Sequence, residues 1–277
     1  MKYYVQFPIQ YDCNLRCPYC FNRECHDLGK NPKYQFTPDH FKRFREKYLA
    51  NDQIIMHCWG GEGFVFPNIL IVRHLFNTFS DLSFDLLSNG TVPSENYISF
   101  TPYKERILRL GLTYHRKVIK GNPEFVNRYR SNVLLLKDQG FNVYVKELLF
   151  QDELDDILEN REFWKKYDVP LKIQEYRQSG CSLDEAGKLK PENAGLIDSE
   201  YYPYDPLTNT CTCKAGYKNI IIKLHGSMIA CWHDDTPIGD IRTCMFNRNY
   251  HVERQNYSEN GVIMQKEKTV ITSGCEF

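Results

Sequence analysis

Three cysteines near the N-terminus have the residue type and spacing of a cluster-binding loop. Cys13, Cys17 and Cys20 lie within eight residues of one another and directly follow the apolar, strand-like run 3–9. Cysteine thiolates are the usual ligands of iron–sulfur clusters, and a four-iron cluster normally takes four of them. A loop that offers three thiolates leaves one iron without a protein ligand, and that iron can hold a substrate.

A structural zinc site is the alternative for this loop. Zinc sites usually have four ligands in paired Cys-x2-Cys knuckles. The nearest remaining thiol, Cys25, lies in a polar stretch without such a partner. The spacing therefore favours an iron–sulfur cluster over zinc.

Length, charge and cysteine content limit the class of protein. The 277 residues fit one large domain or a domain with an appendage, since α/β barrels commonly reach roughly 250 residues. The chain has 35 basic and 35 acidic residues, so its charge gives no indication of a nucleic-acid partner or a membrane surface. The N-terminus has no apolar signal core, and we expect a cytoplasmic protein. In that compartment 11 cysteines indicate metal binding rather than disulfides.

The elements that must position the cysteine loop alternate between strands and helices. This alternation predicts a parallel sheet with right-handed crossovers, whose ligands lie at the carboxyl ends of the strands. The expected strands are 3–9, 54–59, 84–87, 112–115, 141–149 and 171–176, and the expected helices are 37–49, 69–79, 103–110, 122–140 and 152–166.

The C-terminal third has a different pattern. Glycine and proline interrupt residues 178–210, which we predict to be a linker. Beyond it, the runs 217–224 and 227–232 flank Gly226 and predict a β-hairpin. The stretch after Cys244 is polar and weakly patterned. The expected domains are therefore a core at 1–177, a linker at 178–210 and a small domain at 211–277.

Polar or glycine-rich segments follow the second, third and fourth predicted strands. After the second strand, Gly60 and Gly61 would let the backbone approach a ligand closely, and the Glu62 carboxylate would meet a cation. Each segment also has a simpler explanation. They can be read as a glycine turn with a solvated glutamate, an Asn-Gly turn, and a capping or core histidine. Ser88 and Asn89 follow the third strand, and Thr113 and His115 end the fourth.

In this order, the cysteine loop, the Gly-Gly-Glu segment and Ser-Asn-Gly-Thr resemble the radical S-adenosylmethionine enzymes. The resemblance implies a partial (β/α)6 TIM-like barrel in which Cys13, Cys17 and Cys20 hold a four-iron, four-sulfur cluster. It implies that S-adenosylmethionine lies with its adenine beside Tyr19. The methionine amino group would be at Gly60–Glu62, where Gly63 replaces the usual proline. The ribose would be near Ser88 and Asn89, and His115 could contact the cofactor or the substrate from the same rim.

The C-terminal cysteines resemble those of the auxiliary-cluster domains known as SPASM and twitch. Twelve residues separate Cys213 from Gly226, and four separate Gly226 from Cys231. The resemblance implies one auxiliary iron–sulfur cluster held by Cys213 and Cys231, with Cys244 as third ligand and Cys211 as fourth. A zinc ion in the same thiols is the alternative. Cys181 and Cys275 are weaker substitutes for the fourth ligand, Cys58 is expected in the core, and Cys25 has no assigned role.

The implied activity is reductive cleavage of S-adenosylmethionine to a 5′-deoxyadenosyl radical that abstracts hydrogen from a substrate. The first choice of substrate is a peptide, and a reductant such as flavodoxin or ferredoxin is implied. The alternatives are a sugar or nucleoside-type small molecule, or a partner protein. A non-enzymatic iron–sulfur electron-transfer or sensor protein is a further possibility, but it would have no use for the glycine segment at Gly60–Glu62. The sequence identifies neither the substrate nor a general acid or base.

Overall fold

The computed structural model describes residues 2–20, 36–150, 153–175, 213–215, 219–231, 234–247, 250–259 and 262–271. They form two compact units. The first contains residues 2–8 and 36–59 together with the described residues from 213 onward, and the second contains residues 9–20 and 60–175. This grouping differs from the boundaries expected from the sequence, which remain a prediction, and the predicted linker at 178–210 lies outside the described residues.

Strands and helices alternate through the first 175 residues, and strands follow. The helices are α1 (Pro38–Tyr48), α2 (Asn68–Thr78), α3 (Ser94–Ile98), α4 (Arg116–Ile119), α5 (Pro123–Asp138) and α6 (Leu154–Lys166). The strands are β1 (Lys2–Pro8), β2 (Gln53–Trp59), β3 (Ser83–Ser88), β4 (Ile107–Tyr114), β5 (Val143–Leu149), β6 (Leu171–Glu175), β7 (Cys213–Ala215), β8 (Asn219–Ile222), β9 (Ser227–Cys231), β10 (Asp234–Asp240), β11 (Met245–Phe246), β12 (Tyr250–Glu259) and β13 (Val262–Ile271). The mixed α/β class expected from the sequence is confirmed.

The first unit contains a mixed sheet built around β1. Its strand order is β11-β10-β9-β8-β1-β2, with β1 parallel to both β2 and β8. Phe7 of β1 packs its ring edge-on against Phe41 of α1, with 5.8 Å between ring centroids. The predicted hairpin is confirmed as β8 and β9, which are antiparallel. Its turn has Gly226 at φ +96°, a conformation that favours glycine.

The second unit contains a parallel sheet in the order β3-β4-β5-β6. Helix α5 begins as its sequence predicts. Pro123 occupies the first turn, and the Asn122 side chain accepts hydrogen bonds from the backbone N–H groups of Glu124 and Phe125 at 3.0 and 3.3 Å. The Tyr129 hydroxyl of α5 donates to the Leu112 carbonyl of β4 at 2.5 Å, which fixes this helix on the sheet.

One sequence prediction about the elements is wrong, and one pair of strands was not predicted. The helix expected at 103–110 is a 3-10 helix at Thr101–Arg106, and β4 starts at Ile107. Pairing with β3 on one side and β5 on the other outweighs the helical propensity of this segment. The stretch after Cys244, whose sequence is polar and weakly patterned, contains β12 and β13, and β12 pairs with both β13 and β7.

In the described part of the chain, no helix combines the length and the apolar character needed to cross a membrane.

Gly111 of β4 has no room for a side chain. A Cβ there would lie 2.5 Å from Tyr144 Cζ and 2.6 Å from Leu87 Cδ2. We expect Gly111→Ala to lower the free energy of unfolding by about 1–3 kcal/mol, the usual cost of overpacking, as measured by urea denaturation. Gly121→Ala is the matched control, because its Cβ would meet no described atom within 4 Å. Equal stability of the two variants would contradict this packing.

Candidate cluster and cofactor site

The three predicted cluster ligands lie together on the loop that follows β1. Cys13, Cys17 and Cys20 are all half-buried. Burial, followed by the charge of Glu62, raises the pKa of Cys13 to about 11. Burial, followed by the charges of Cys13 and Cys20, raises the pKa of Cys17 to about 12. The thiols are therefore close enough to disfavour one another's ionisation.

These thiols fit a cationic cluster chemically. A thiolate is the ligand, so binding must release the protons that the raised pKa values retain, and a nearby metal charge favours that release. Among the described residues, the structure does not already hold three Cys, His, Asp or Glu side chains in a finished metal site. The three predicted donors come from one loop, residues 13–20.

Gly60 and Gly61 pack against this loop. A Cβ on Gly60 would lie 2.6 Å from the Ile9 carbonyl oxygen, and a Cβ on Gly61 would overlap the carbonyl oxygen of Asp12. The Gly61 N–H donates to the carbonyl of Gln10 at 3.0 Å. The sequence predicts that these glycines allow a ligand to lie close to the backbone. At these atoms, the chain's own cysteine loop lies there instead.

Glu62 is the most enclosed charge of the site, with an exposed fraction of 3%. Its Oε1 accepts hydrogen bonds from the Phe64 N–H at 3.0 Å and the Ser88 hydroxyl at 2.9 Å, and its Oε2 accepts one from the Asn89 N–H at 2.6 Å. Burial raises the pKa of Glu62, and these three hydrogen bonds act in the opposite direction. The carboxylate links the segments that follow β2 and β3.

Ser88 and Asn89 face the interior of the site. The Ser88 hydroxyl also lies 2.7 Å from the Tyr97 hydroxyl. The Asn89 amide donates to Asn14 Oδ1 at 2.8 Å and to Cys13 Sγ at 3.7 Å. Asn89 is thereby the direct connection between the segment after β3 and a predicted cluster ligand.

Tyr19 and His115 form a pair at the end of β4. The Tyr19 hydroxyl lies 3.1 Å from His115 Nδ1, and the Tyr19 ring lies 5.2 Å from that of Phe150. Burial, assisted by the charge of Lys146, lowers the pKa of His115 to about 4, so the imidazole is neutral near pH 7. Thr113, two residues earlier on β4, is buried. Both residues on the predicted rim are therefore in the same unit as the cysteine loop.

The sequence did not predict that the Asn68 amide joins the cysteine loop to the segment after β2. The Asn68 side chain, at the start of α2, donates to the carbonyls of Gln10, Asp12 and Glu62 at 3.0, 2.9 and 2.9 Å. Its only sequence signal is its position directly after Pro67, at a helix start. Asn14 and Tyr97 were missed in the same way, because their partners are distant in sequence.

The structure describes only part of the cysteines that were considered as ligands of the auxiliary cluster. Cys211, Cys181, Cys275 and Cys25 lie outside the described residues, as do the side chains of Cys213 and Cys231. Cys213 belongs to β7, which pairs with β12 rather than with the hairpin. Cys58 is buried in β2, as expected.

Cys244 lies at the opposite end of β9 from Cys231. It immediately precedes Met245, which pairs with Asp240, and Asp240 pairs with Ser227. Cys244 is therefore beside the Gly226 end of β9, whereas Cys231 ends that strand four residues later, about 13 Å away. This register argues against Cys244 as a ligand of a site at Cys231.

Comparisons with known proteins find similarity to an enzyme sequence and to solved structures. No family model matches the sequence. A serine-type anaerobic sulfatase-maturating enzyme of Bacteroides thetaiotaomicron is 24% identical over 139 residues, which is 47% of this chain and 32% of that protein. The match thus spans about a third of the relative.

Solved structures of anSMEcpe share the fold. The structure with bound S-adenosylmethionine (AdoMet) has a TM-score of 0.61 and 16% identity, covering 87% of this chain and 75% of that one. The structure with AdoMet and the Kp18Cys peptide has a TM-score of 0.60 and 15% identity, covering 86% and 78%. These likenesses show a shared fold, in which the Cys-x3-Cys-x2-Cys loop of this chain follows β1.

The contribution of the Ser88–Glu62 hydrogen bond to stability can be measured separately from any activity. Ser88→Ala leaves the buried carboxylate with one donor fewer, and we expect the free energy of unfolding to fall by about 1–3 kcal/mol. Ser83→Ala, at the other end of β3, is the matched control and should change stability by no more than about 0.5 kcal/mol. Denaturant unfolding measures both. If the two variants lose the same stability, the Ser88 bond is not important.

Proposed function

We propose that Cys13, Cys17 and Cys20 hold a four-iron, four-sulfur cluster and that the chain uses it to cleave S-adenosylmethionine reductively. The observation that carries the proposal is the connection of the thiol loop to the two segments expected to hold the cofactor. Gly61 bonds to that loop through its backbone, and Asn89 reaches Cys13 through its side chain. A zinc loop would need neither connection.

The cluster, when bound, supplies the electron that splits the sulfur–C5′ bond, giving methionine and a 5′-deoxyadenosyl radical that takes a hydrogen atom from the substrate. The chain's own residues bind and orient. Glu62 supplies a negative charge for the methionine amino group, through the acceptor capacity that Oε2 retains beside the Asn89 N–H. Tyr19, between His115 and Phe150, supplies an aromatic face for the adenine.

Ser88 has a different role in this proposal from the one expected from the sequence. Its hydroxyl donates to Glu62, contacts Tyr97 and accepts from the Gly90 N–H at 3.1 Å. These contacts use the hydrogen-bonding capacity of the Ser88 hydroxyl within the protein. We therefore assign Ser88 to positioning Glu62 rather than to contacting the ribose.

A peptide is the substrate class that we propose. The matched relative is a sulfatase-maturating enzyme, and one of the similar solved structures contains a peptide with AdoMet. A reductant such as flavodoxin or ferredoxin would deliver the electron.

We also propose a second iron–sulfur cluster with Cys213 and Cys231 among its ligands. Cys231 ends β9, the second strand of the confirmed hairpin, and Cys213 begins the strand that precedes this hairpin in the chain. Cys211, two residues before Cys213, is a third candidate ligand. We leave Cys244 out of this set, because the register of β9 and β10 puts it beside the other end of β9.

Replacing the three loop cysteines tests the core assignment. We expect the triple change Cys13→Ala, Cys17→Ala and Cys20→Ala to remove about four irons per chain and all formation of 5′-deoxyadenosine. Iron analysis and chromatography after anaerobic reconstitution, with S-adenosylmethionine and dithionite, measure both. Cys58→Ala is the control, since Cys58 is buried in β2, and should retain both properties. Cleavage by the triple variant would disprove the proposal.

The second cluster has its own test. Cys231→Ala should lower iron from about eight to about four atoms per chain and spare uncoupled cleavage, since the first cluster is held elsewhere. Cys244→Ala is the matched control, because Cys244 lies at the other end of β9, and should keep all the iron. A wild-type chain with about four irons and one zinc would establish a structural metal instead.

A further inference from the structure

The side chain of Asn89 uses its whole hydrogen-bonding capacity within the protein. Its Oδ1 accepts from the backbone N–H of Thr91 at 2.9 Å and from the Thr91 hydroxyl at 2.8 Å. Its Nδ2 donates to Asn14 Oδ1 at 2.8 Å and to Cys13 Sγ at 3.7 Å. An asparagine amide has two acceptor positions and two donor hydrogens. The side chain therefore retains no capacity for the ribose that the sequence resemblance placed near it.

A backbone donor determines the orientation of the Asn89 amide. A backbone N–H group can only donate, so the atom that meets the Thr91 N–H must be Oδ1. The amide nitrogen is then the atom that lies against Asn14 and Cys13. The contact with Cys13 is thus an N–H···S hydrogen bond, and its length of 3.7 Å reflects the larger radius of sulfur.

The side chains of Asn14, Asn89 and Thr91 form a closed ring of hydrogen bonds. Asn14 Nδ2 donates to the Thr91 hydroxyl at 2.8 Å, that hydroxyl donates to Asn89 Oδ1, and Asn89 Nδ2 donates back to Asn14 Oδ1. Asn89 and Thr91 are both buried, and hydrogen bonds in such surroundings are stronger than in water. The ring uses one hydrogen of Asn89 Nδ2 and holds the other toward Cys13.

Cys13 Sγ accepts a hydrogen bond from the cysteine loop as well. The backbone N–H of Leu15, which is buried, donates to this sulfur at 3.4 Å. The Asn89 donor comes from the segment after β3, 76 residues away in sequence. Donors from two separate segments therefore meet at the sulfur of one predicted cluster ligand.

Hydrogen bonds to a ligand sulfur make an iron–sulfur cluster easier to reduce. The added electron increases the negative charge on the sulfur atoms, and a hydrogen bond strengthens as the charge on its acceptor grows. The reduced state is therefore stabilised more than the oxidised state, which raises the reduction potential. Neighbours that bond to metal ligands commonly tune a site in this way.

We propose that the Asn89 amide raises the reduction potential of the cluster through its hydrogen bond to Cys13. Asn89 acts through a ligand and is a positioning residue, since it does not contact the reacting atoms. The inference rests on the proposed function, because it needs the four-iron cluster on Cys13, Cys17 and Cys20. Its consequence is that a weaker external one-electron reductant can reduce the cluster.

Pulsed electron paramagnetic resonance of the reduced, reconstituted chain tests the hydrogen bond directly. The chain is labelled with asparagine that carries nitrogen-15 only in the side-chain amide, and S-adenosylmethionine is left out. We expect a nitrogen-15 coupling to the cluster in the unmodified chain. Asn89→Leu should lose this coupling. Asn14→Leu should retain it, because that change removes the other labelled amide of the ring.

The reduction potential is the second readout. At a fixed solution potential, we expect Asn89→Leu to lower the ratio of reduced to oxidised cluster by roughly tenfold, equivalent to about 59 mV for a one-electron couple. Thr91→Val is the matched control, because valine has the shape of threonine and the backbone N–H that holds Asn89 Oδ1 remains. This variant should keep the ratio of the unmodified chain.

The outcomes separate this inference from the proposed function. A cluster without the nitrogen-15 coupling in the unmodified chain, or equal ratios in Asn89→Leu and Thr91→Val, would overturn the inference alone. If Asn89→Leu binds no iron, the couplings of the unmodified chain and of Asn14→Leu decide. An unmodified chain that binds no iron would overturn both, whereas a coupled cluster without formation of 5′-deoxyadenosine would overturn only the proposed activity.

Discussion

The buried carboxylate of Glu62 is the interaction on which the rest of the candidate site depends. A carboxylate that is 3% exposed is costly unless donors surround it. Its donors come from two segments, the Phe64 N–H beside it in sequence and the Ser88 and Asn89 donors 26 and 27 residues away. Satisfying one charge therefore fixes the segment after β2 against the segment after β3, and Asn89 extends that constraint to Cys13.

The cysteine loop is fixed by the backbone as well. Gly60 and Gly61 allow the segment after β2 to approach the loop at distances that no side chain would tolerate. The Asn68 amide donates to the carbonyl of Gln10 in the loop and to the carbonyl of Glu62 in the segment after β2. A loop that must present three thiols to one cluster gains from such support, because ligand positions must be held before the metal can be shared. In the proposed function, the glycines thus serve the cluster indirectly, through the position of the loop.

Helices and turns could be predicted where a few adjacent residues determine them. The contacts of the site were harder to predict, because they join residues that are distant in sequence. The cap at Asn122 and the glycine turn at Gly226 are properties of a few adjacent residues, and both are confirmed. The segment from Ile107 was assigned to a helix because its strand partners on β3 and β5 cannot be read from its own residues. The same limit applies to Asn68, and to Cys244, whose position depends on the register of β9 and β10.

Adjacent charged residues of β5 lie on opposite faces of the sheet and are buried to different extents. Glu147 points to the helix-covered face, where its Oε2 is 2.6 Å from the Arg116 guanidinium and Asn160 binds its other oxygen. A carboxylate that is 1% exposed needs those partners, because an uncompensated buried charge is strongly destabilising. Lys146 points to the other face and is half-buried, so water lowers the cost of keeping its charge. One strand can therefore bury an ion pair on one face and keep a lysine half-buried on the other, since successive side chains alternate between faces.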